Sequence, residues 1–253
     1  MEKKSIIAMA VLGGLLAMGM SGAAFVLGAK TKEAVSGIRP GTQITVKGLA
    51  VKSVKADSVE WTVTISVREP TFGQALAKLR SVRPTLDAFF NREGVDKAQI
   101  AEGPEQVGPH METVYLETGG SRQEQKGFEA TQSLTVISRD LQRIVVASKN
   151  ILQLQAEGHP ITAGQPLFLV SNLEELKMSL IADATANARK RAVEFVKQDG
   201  VKVGVMRSAS QGAFYILAEG GASDSDDYGG VYDKSTINKV AKVVVTIVYN
   251  IEK

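Results

Sequence analysis

The chain has 253 residues, of which 44% are hydrophobic and 23% are charged, so wholesale disorder is excluded and a sizeable core can form. It has no Cys, which excludes disulfides, thiolate catalysis and iron–sulfur clusters, and its 2 His leave little room for a histidine-based site. The net charge is only +3, with basic and acidic residues interspersed, so we expect no nucleic-acid interface.

The N-terminal segment carries no charge from Ser5 to Ala29. That length exceeds the roughly 20 residues a helix needs to cross a bilayer, so we predict a single membrane anchor within residues 1–30. The protein would then lie in the bacterial inner membrane, with its C-terminal domain in the periplasm. Cleavage near Ala23 is the alternative and would release a soluble periplasmic protein. The apolar residues expected to face lipid are Ile7, Leu12, Leu15, Leu16, Phe25, Val26 and Leu27.

A polar linker, residues 31–42, precedes two alternating segments that predict strands. These are Gln43–Lys52 and Val59–Val67, joined by a turn at residues 55–58. The only Trp, Trp61, lies on the apolar face of the second strand, so we expect it in the core.

The next segment predicts a helix. Thr71 and Gln74 have the spacing of a capping box, apolar residues follow at helical intervals, and Gly94 ends the pattern. Pro84 lies within it and should kink the helix. An extended segment is expected from Ile100, followed by a turn at residues 108–109 and a partner strand at 111–117.

The second half predicts a similar order of elements. A polar loop, residues 121–126, precedes a strand at 128–138 and a helix capped by Asp140. A short strand at 166–170 and a second capping box at Ser171 introduce a long helix, ended by Gly200; strands at 201–217 and 239–251 follow. The apolar stripe expected on the long helix is Leu173, Leu176, Leu180, Ala184, Ala188, Ala192 and Phe195.

This pattern predicts an α+β fold preceded by a transmembrane helix. Antiparallel-rich sheets with packed helices would form a domain at residues 43–253. Its two similar subdomains would cover about 43–120 and 121–253.

One acidic, glycine-rich loop stands apart, at residues 220–233. Oxygen ligands on such a loop suit calcium, which makes its carboxylates weak metal candidates, although a solvated hairpin tip is the simpler interpretation. Its two tyrosines are candidates for a contact between subunits, because Tyr is enriched in interfaces. His110 and His159 adjoin prolines and are expected in exposed turns. The metal candidates are Asp224, Asp226, Asp227 and Asp233, and the contact candidates are Tyr228 and Tyr232.

An ordered set of segments resembles the SIMPL-domain family of exported bacterial envelope proteins. The resemblance covers nearly all of residues 43–251. It implies an α+β fold of two subdomains, no established catalytic residues, a tendency to self-assemble and a link to oxidative stress. The segments that carry it are Ile44–Ala50, Gly94–Ile100, Leu134–Asp140, Ala182–Ala192, Gly200–Gly204 and the closing strand at residues 243–251.

We therefore expect a non-enzymatic, membrane-anchored envelope protein without a cofactor, whose periplasmic domain forms a homo-oligomeric scaffold or ring. The absence of a serine–histidine or phosphate-loop motif favours this over an enzyme. The alternative is a soluble periplasmic module that binds a small ligand or calcium.

Overall fold

The computed structural model describes residues 42–117, 119–220 and 230–253. The predicted anchor and linker lie outside these ranges. None of the helices within them is both long and apolar enough to cross a membrane.

In the described part of the chain, nine strands and three helices follow one another. The strands are β1 (Gln43–Lys55), β2 (Ser58–Glu69), β3 (Ile100–Glu102), β4 (Gln106–Tyr115), β5 (Ser121–Ser138), β6 (Ile161–Ala163), β7 (Leu167–Leu169), β8 (Lys202–Ala218) and β9 (Asn238–Glu252). The helices are α1 (Phe72–Arg92), α2 (Leu141–Ala156) and α3 (Leu173–Val196), and short 3₁₀ turns occupy Lys97–Gln99 and Lys197–Asp199.

The strands form two sheets, which confirms the predicted α+β class. In the larger sheet the order is β3-β5-β2-β6, with β4 added to β5 and β7 added to β2. Each of its pairings is antiparallel. The smaller sheet has the order β1-β9-β8.

The chain divides into two compact units. The described residues of the first are 42–46, 190–209 and 247–253, and those of the second are 47–117, 119–189, 210–220 and 230–246. The subdomain boundary near residue 120 stays a prediction.

The main core lies in the second unit, where alternate residues of β2 meet the apolar faces of α1 and α2. Trp61 is fully buried, as predicted, and packs edge-on to Phe90. Its indole Nε1–H donates to the carbonyl oxygen of Gly164 at 2.9 Å, so its one polar atom is satisfied. Other large buried residues of this core are Ile65, Leu79, Leu86, Phe89, Leu134, Ile144 and Ile151.

Two predicted helix caps are confirmed and one is wrong. Thr71 Oγ1 accepts from the backbone N–H of Gln74 at 3.3 Å, and Asp140 Oδ1 accepts from that of Arg143 at 3.0 Å. The predicted cap at Ser171 is misplaced by one residue, because α3 begins at Leu173 and Asn172 accepts its first backbone hydrogen bond, whereas Ser171 donates to Asp57.

The prediction for residues 108–126 is also wrong. Gly108 and Pro109 lie inside β4, and the expected polar loop at 121–126 is the first part of β5, which pairs with β4. A register shift between His110 and Met111 accommodates the irregular sequence. Pro109 is tolerated because β4 is an edge strand of the described sheet, where a proline need not donate to a further neighbour.

The buried stripe of α3 departs from prediction at its C-terminal end. Phe195 is 66% exposed, and Val196 takes the buried position. Residues 176, 180, 184, 188 and 192 are buried at strict four-residue spacing, and the next such position is 196.

Candidate functional site

The cluster Tyr232–Asp233–Lys239 holds the start of β9 to the segment before it. Lys239 is fully buried, and its Nζ donates to the backbone oxygen of Asp233 at 2.6 Å and to its Oδ1 at 3.3 Å. The same Nζ lies 5.9 Å from the centre of the Tyr232 ring. A buried ammonium needs such partners, because its desolvation costs several kcal/mol.

The Asp233 carboxylate accepts hydrogen bonds from Ser235, Thr236 and Lys239. Burial disfavours its charge, but hydrogen bonds from Thr236, Ser235 and Lys239 outweigh burial and lower the pKa of Asp233 from 3.8 to about 2. The backbone N–H of Asp233 donates to the carbonyl oxygen of Ile216 in β8 at 2.7 Å. The cluster therefore ties the segment before β9 to β8.

Tyr232 is half-buried and bonded within its own chain. Its hydroxyl accepts from the backbone N–H of Val170 at 2.7 Å, just before α3. The predicted contact between copies at Tyr232 stays a prediction.

The other residues of the predicted loop site, Asp224, Asp226, Asp227 and Tyr228, lie outside the described residues. Within the described ranges, no three metal-ligating side chains cluster together. Calcium binding by the loop stays a prediction. A cation at Asp233 would compete with the donors that already bond this carboxylate.

Sequence reasoning missed the role of Lys239, although a signal was present. Lys239 lies in the same alternating row of β9 as Ala241, Val243, Val245 and Ile247, all of which are buried on one face of the strand. A lysine in phase with a buried row predicts a buried, partnered ammonium.

Two clefts adjoin the core of the second unit. One, of about 690 Å³, is lined by Arg68, Lys78 and His159, with Ser66 as a hydroxyl. Ser66 Oγ donates to Glu129 Oε1 at 2.9 Å, so its proton is engaged away from the imidazole. The other cleft, of about 580 Å³, is lined partly by Phe168 and Ile237, together with the hydroxyls of Ser235 and Thr236 that bond Asp233.

The two histidines lie in different settings. His159 is half-buried and follows α2, with its Nε2 3.8 Å from Glu157. His110 lies in β4, where its side chain is only 15% exposed and its Nε2 is 3.3 Å from Glu112. The exposed turn expected at His110 is therefore wrong, because β4 pairs with β5 there.

A two-stranded ribbon of mostly exposed residues belongs to the larger sheet. The pairing of β2 with β5 ends at Phe128, whereas β4 and β5 continue to pair as far as Tyr115 and Ser121. Residues 111–115 and 121–125 therefore pair with each other beyond the β2–β5 ladder.

The two faces of the ribbon differ in charge. One face pairs Met111 with Gln125, Thr113 with Gln123 and Tyr115 with Ser121, and carries no charge. The opposite face carries Glu112, Arg122 and Glu124. Hydrogen bonds from Lys126 and Arg122 lower the pKa of Glu124. On the uncharged face, Tyr115 is 80% exposed and Met111 is 48% exposed.

Comparison with known families identifies the chain between residues 44 and 246 as SIMPL, described as a protein of unknown function (DUF541). No curated protein matches the chain. The matched region covers the larger sheet, the three helices of the described chain and most of the smaller sheet, whose β9 continues to Glu252, and it confirms the resemblance drawn from the residues. The chain belongs to the SIMPL family.

Proposed function

We propose that this chain is a non-enzymatic envelope protein, anchored in the bacterial inner membrane by residues 5–29, whose periplasmic domain assembles into a homo-oligomeric scaffold. The anchor is proposed from the uncharged length of the segment. The absence of a nucleophile–histidine motif in the sequence supports a structural role. The link to oxidative stress rests on the family resemblance alone.

The uncharged face of the β4–β5 ribbon is the observation that carries the assembly proposal. A two-stranded ribbon is only marginally stable in water, because neither of its faces packs against a hydrophobic core. Packing against a second copy would cover Met111 and Tyr115, and Tyr and Met are enriched where protein surfaces meet, whereas most charged side chains are depleted.

The strand edges offer a second source of contact. β4 has no strand on its outer side in the described sheet, so its backbone groups can pair with an added strand. Side chains of the uncharged face would set the register of that pairing.

The test is the native mass of the full chain, purified from membranes in mild detergent. Wild type should give one large, uniform assembly. The double variant Thr113→Lys with Tyr115→Lys places like charges on the uncharged face and should shift most of the mass to monomer or to small oligomers.

The matched control is Gln142→Lys with Leu152→Lys, which adds the same charge to exposed positions of α2. It should leave the assembly unchanged. Circular dichroism should show both variants folded. A wild-type monomer would refute assembly, and an intact assembly in the ribbon variant would refute the ribbon as its surface.

A further inference from the structure

The smaller sheet has one covered face and one open face. The even-numbered residues of β1 face α3: a Cβ on Gly48 would meet Ala184 and Ala188, and Lys52 Nζ donates to Ser179 Oγ at 2.6 Å. On β9, the odd-numbered residues are the buried row. The remaining residues of both strands therefore form the other face, which we call the open face. Within the second unit its members are Lys47, Leu49, Val51, Ser53 and Lys55 on β1 and Val240, Lys242, Val244 and Thr246 on β9.

These two rows lie side by side. The backbone N–H of Ile251 donates to the carbonyl oxygen of Thr42 at 2.7 Å, so the end of β9 meets the start of β1 and the neighbouring strands run antiparallel. The edge strand exposes its apolar members most: Val51 is 56% exposed and Leu49 is 37% exposed. Val244, on the central strand, is half-buried.

Within the second unit all the charges on the open face are positive, and the acidic Glu252 of the same β9 row lies beyond that unit. Within the second unit the face carries Lys47, Lys55 and Lys242, and neither residues 47–55 nor residues 240–246 contain an Asp or Glu. Among the described residues, neither Lys55 nor Lys242 has a side-chain ion pair. An apolar strip bordered by cations suits a surface that is anionic at its boundary and apolar beneath it.

The position of β1 in the sequence supplies the second argument. β1 begins at Gln43, and residues 30–42 separate it from the uncharged segment 5–29. A chain of that length spans at most roughly 45 Å when fully extended. With residues 5–29 in the bilayer, β1 is held close to the lipid headgroups, so a weak affinity acts at high effective concentration.

We propose that the open face of β1 and β9 lies against the anionic phospholipid headgroups of the membrane that anchors the protein. Leu49 and Val51 contact the boundary of the acyl region, and Lys55 and Lys242 lie among the phosphates. This inference rests on the anchoring in the proposed function. A second copy is a poorer occupant, since face-to-face pairing would bring Lys55 and Lys242 of the two copies together, and the part of the face in the second unit has no carboxylate to pair with them.

The absence of Cys allows a clean test on the full chain. Val51→Cys, labelled with a fluorophore, is reconstituted into phosphatidylcholine vesicles with or without phosphatidylglycerol, and quenching by lipids spin-labelled at the headgroup is measured. We expect strong quenching with phosphatidylglycerol and weak quenching without it. A label at Ala186→Cys, exposed on α3, should be quenched in neither.

Charge variants sharpen the test. Lys55→Gln with Lys242→Gln should lower the ratio of docked to undocked protein roughly fivefold for each lysine removed. Lys78→Gln with Lys149→Gln removes the same charge from exposed positions elsewhere and should leave quenching unchanged. Equal quenching by both vesicle types, or equal effects of the two pairs, would overturn the proposal.

Two further readouts separate the remaining explanations. Excimer formation between pyrene labels at residue 51 in lipid-free detergent requires direct contact of the two labels, so it would place a second copy on the face and overturn lipid docking. Extraction of the protein from vesicles by alkaline carbonate would instead refute the anchor. An unquenched label in carbonate-resistant protein would refute the docking alone.

Discussion

The backbone of Gly48 lies so close to α3 that a Cβ there would fall 2.0 Å from the carbonyl oxygen of Ala184. The neighbouring contact, to the Cβ of Ala188, would be 2.8 Å. Small residues on both elements are therefore a packing requirement. The alanine-rich face of α3 serves close approach to β1, in addition to its high helix propensity.

Gly48→Ala should destabilise the domain because the clash is with backbone, which cannot move aside as a flexible side chain would. We expect a loss of about 3 kcal/mol and a melting temperature lower by roughly 6–12 °C. Thermal unfolding followed by circular dichroism measures it.

Gly73→Ala is the matched control. It lies in the first turn of α1, where an added Cβ would meet nothing within 4 Å beyond its own helix and its chain neighbours. It should be neutral or stabilise by up to about 1 kcal/mol, because alanine restricts the unfolded chain. Equal melting temperatures for the two variants would contradict the close approach of β1 to α3.

Lys239→Met tests the buried ammonium. Methionine fills a similar volume but removes the donor to Asp233, and we expect a loss of about 3 kcal/mol in unfolding free energy. Urea titration followed by Trp61 fluorescence measures it, since Trp61 is buried only while the core is folded. Lys242→Met, on the open face of β9, should change stability by less than about 0.5 kcal/mol. A small effect of Lys239→Met would show that the pair does not hold this segment.

Ionisation of Asp233 makes the free energy of unfolding depend on pH in the acid range. Its pKa is about 2 in the folded protein against a normal value of 3.8, so its contribution is complete above about pH 4 and is lost as pH falls towards 2. Across that pH range, protonation of Asp233 should lower the unfolding free energy of wild type by on the order of 2 kcal/mol. The stability difference between wild type and Asp233→Asn should narrow accordingly. Parallel stability curves would contradict the lowered pKa.

Arg83 and Arg80 provide a comparison between a shielded and an exposed ion pair. The Arg83 side chain is 18% exposed and donates to Glu102 at 2.6 Å and to Asp87 at 2.9 Å, whereas Arg80 is 62% exposed and bonds Glu105. Arg83→Met should lower the free energy of unfolding by about 2 kcal/mol, and Arg80→Met should lower it by less than about 1 kcal/mol. Chemical unfolding distinguishes them, and equal losses would contradict the difference in shielding.

Local patterns predicted much of the fold. Period-two alternation located β2 and the burial of Trp61, and the caps at Thr71 and Asp140 are set by side chains within three residues of the helix start. The cap predicted at Ser171 was wrong because α3 begins one residue later, and Ser171 is bonded to Asp57, a residue distant in sequence that local spacing does not reveal. The strand predicted at 128–138 is confirmed as part of β5, but the first part of β5 was missed because residues 121–126 are polar on both faces, which is typical of a ribbon outside the core.

The candidate surfaces were harder to predict than the elements. The exposed ribbon depends on where β2 stops pairing with β5, which is a tertiary relationship. The open face depends on which side of β1 meets α3. By contrast, the position of Lys239 in the alternating buried row of β9 could have been predicted from the sequence.

Native mass determination of the full chain, purified from membranes in mild detergent, tests the central proposal most directly because it measures subunit mass and assembly mass together. An untrimmed subunit in a large, uniform assembly is the predicted result. A trimmed subunit that runs as a monomer would contradict both the anchor and the scaffold.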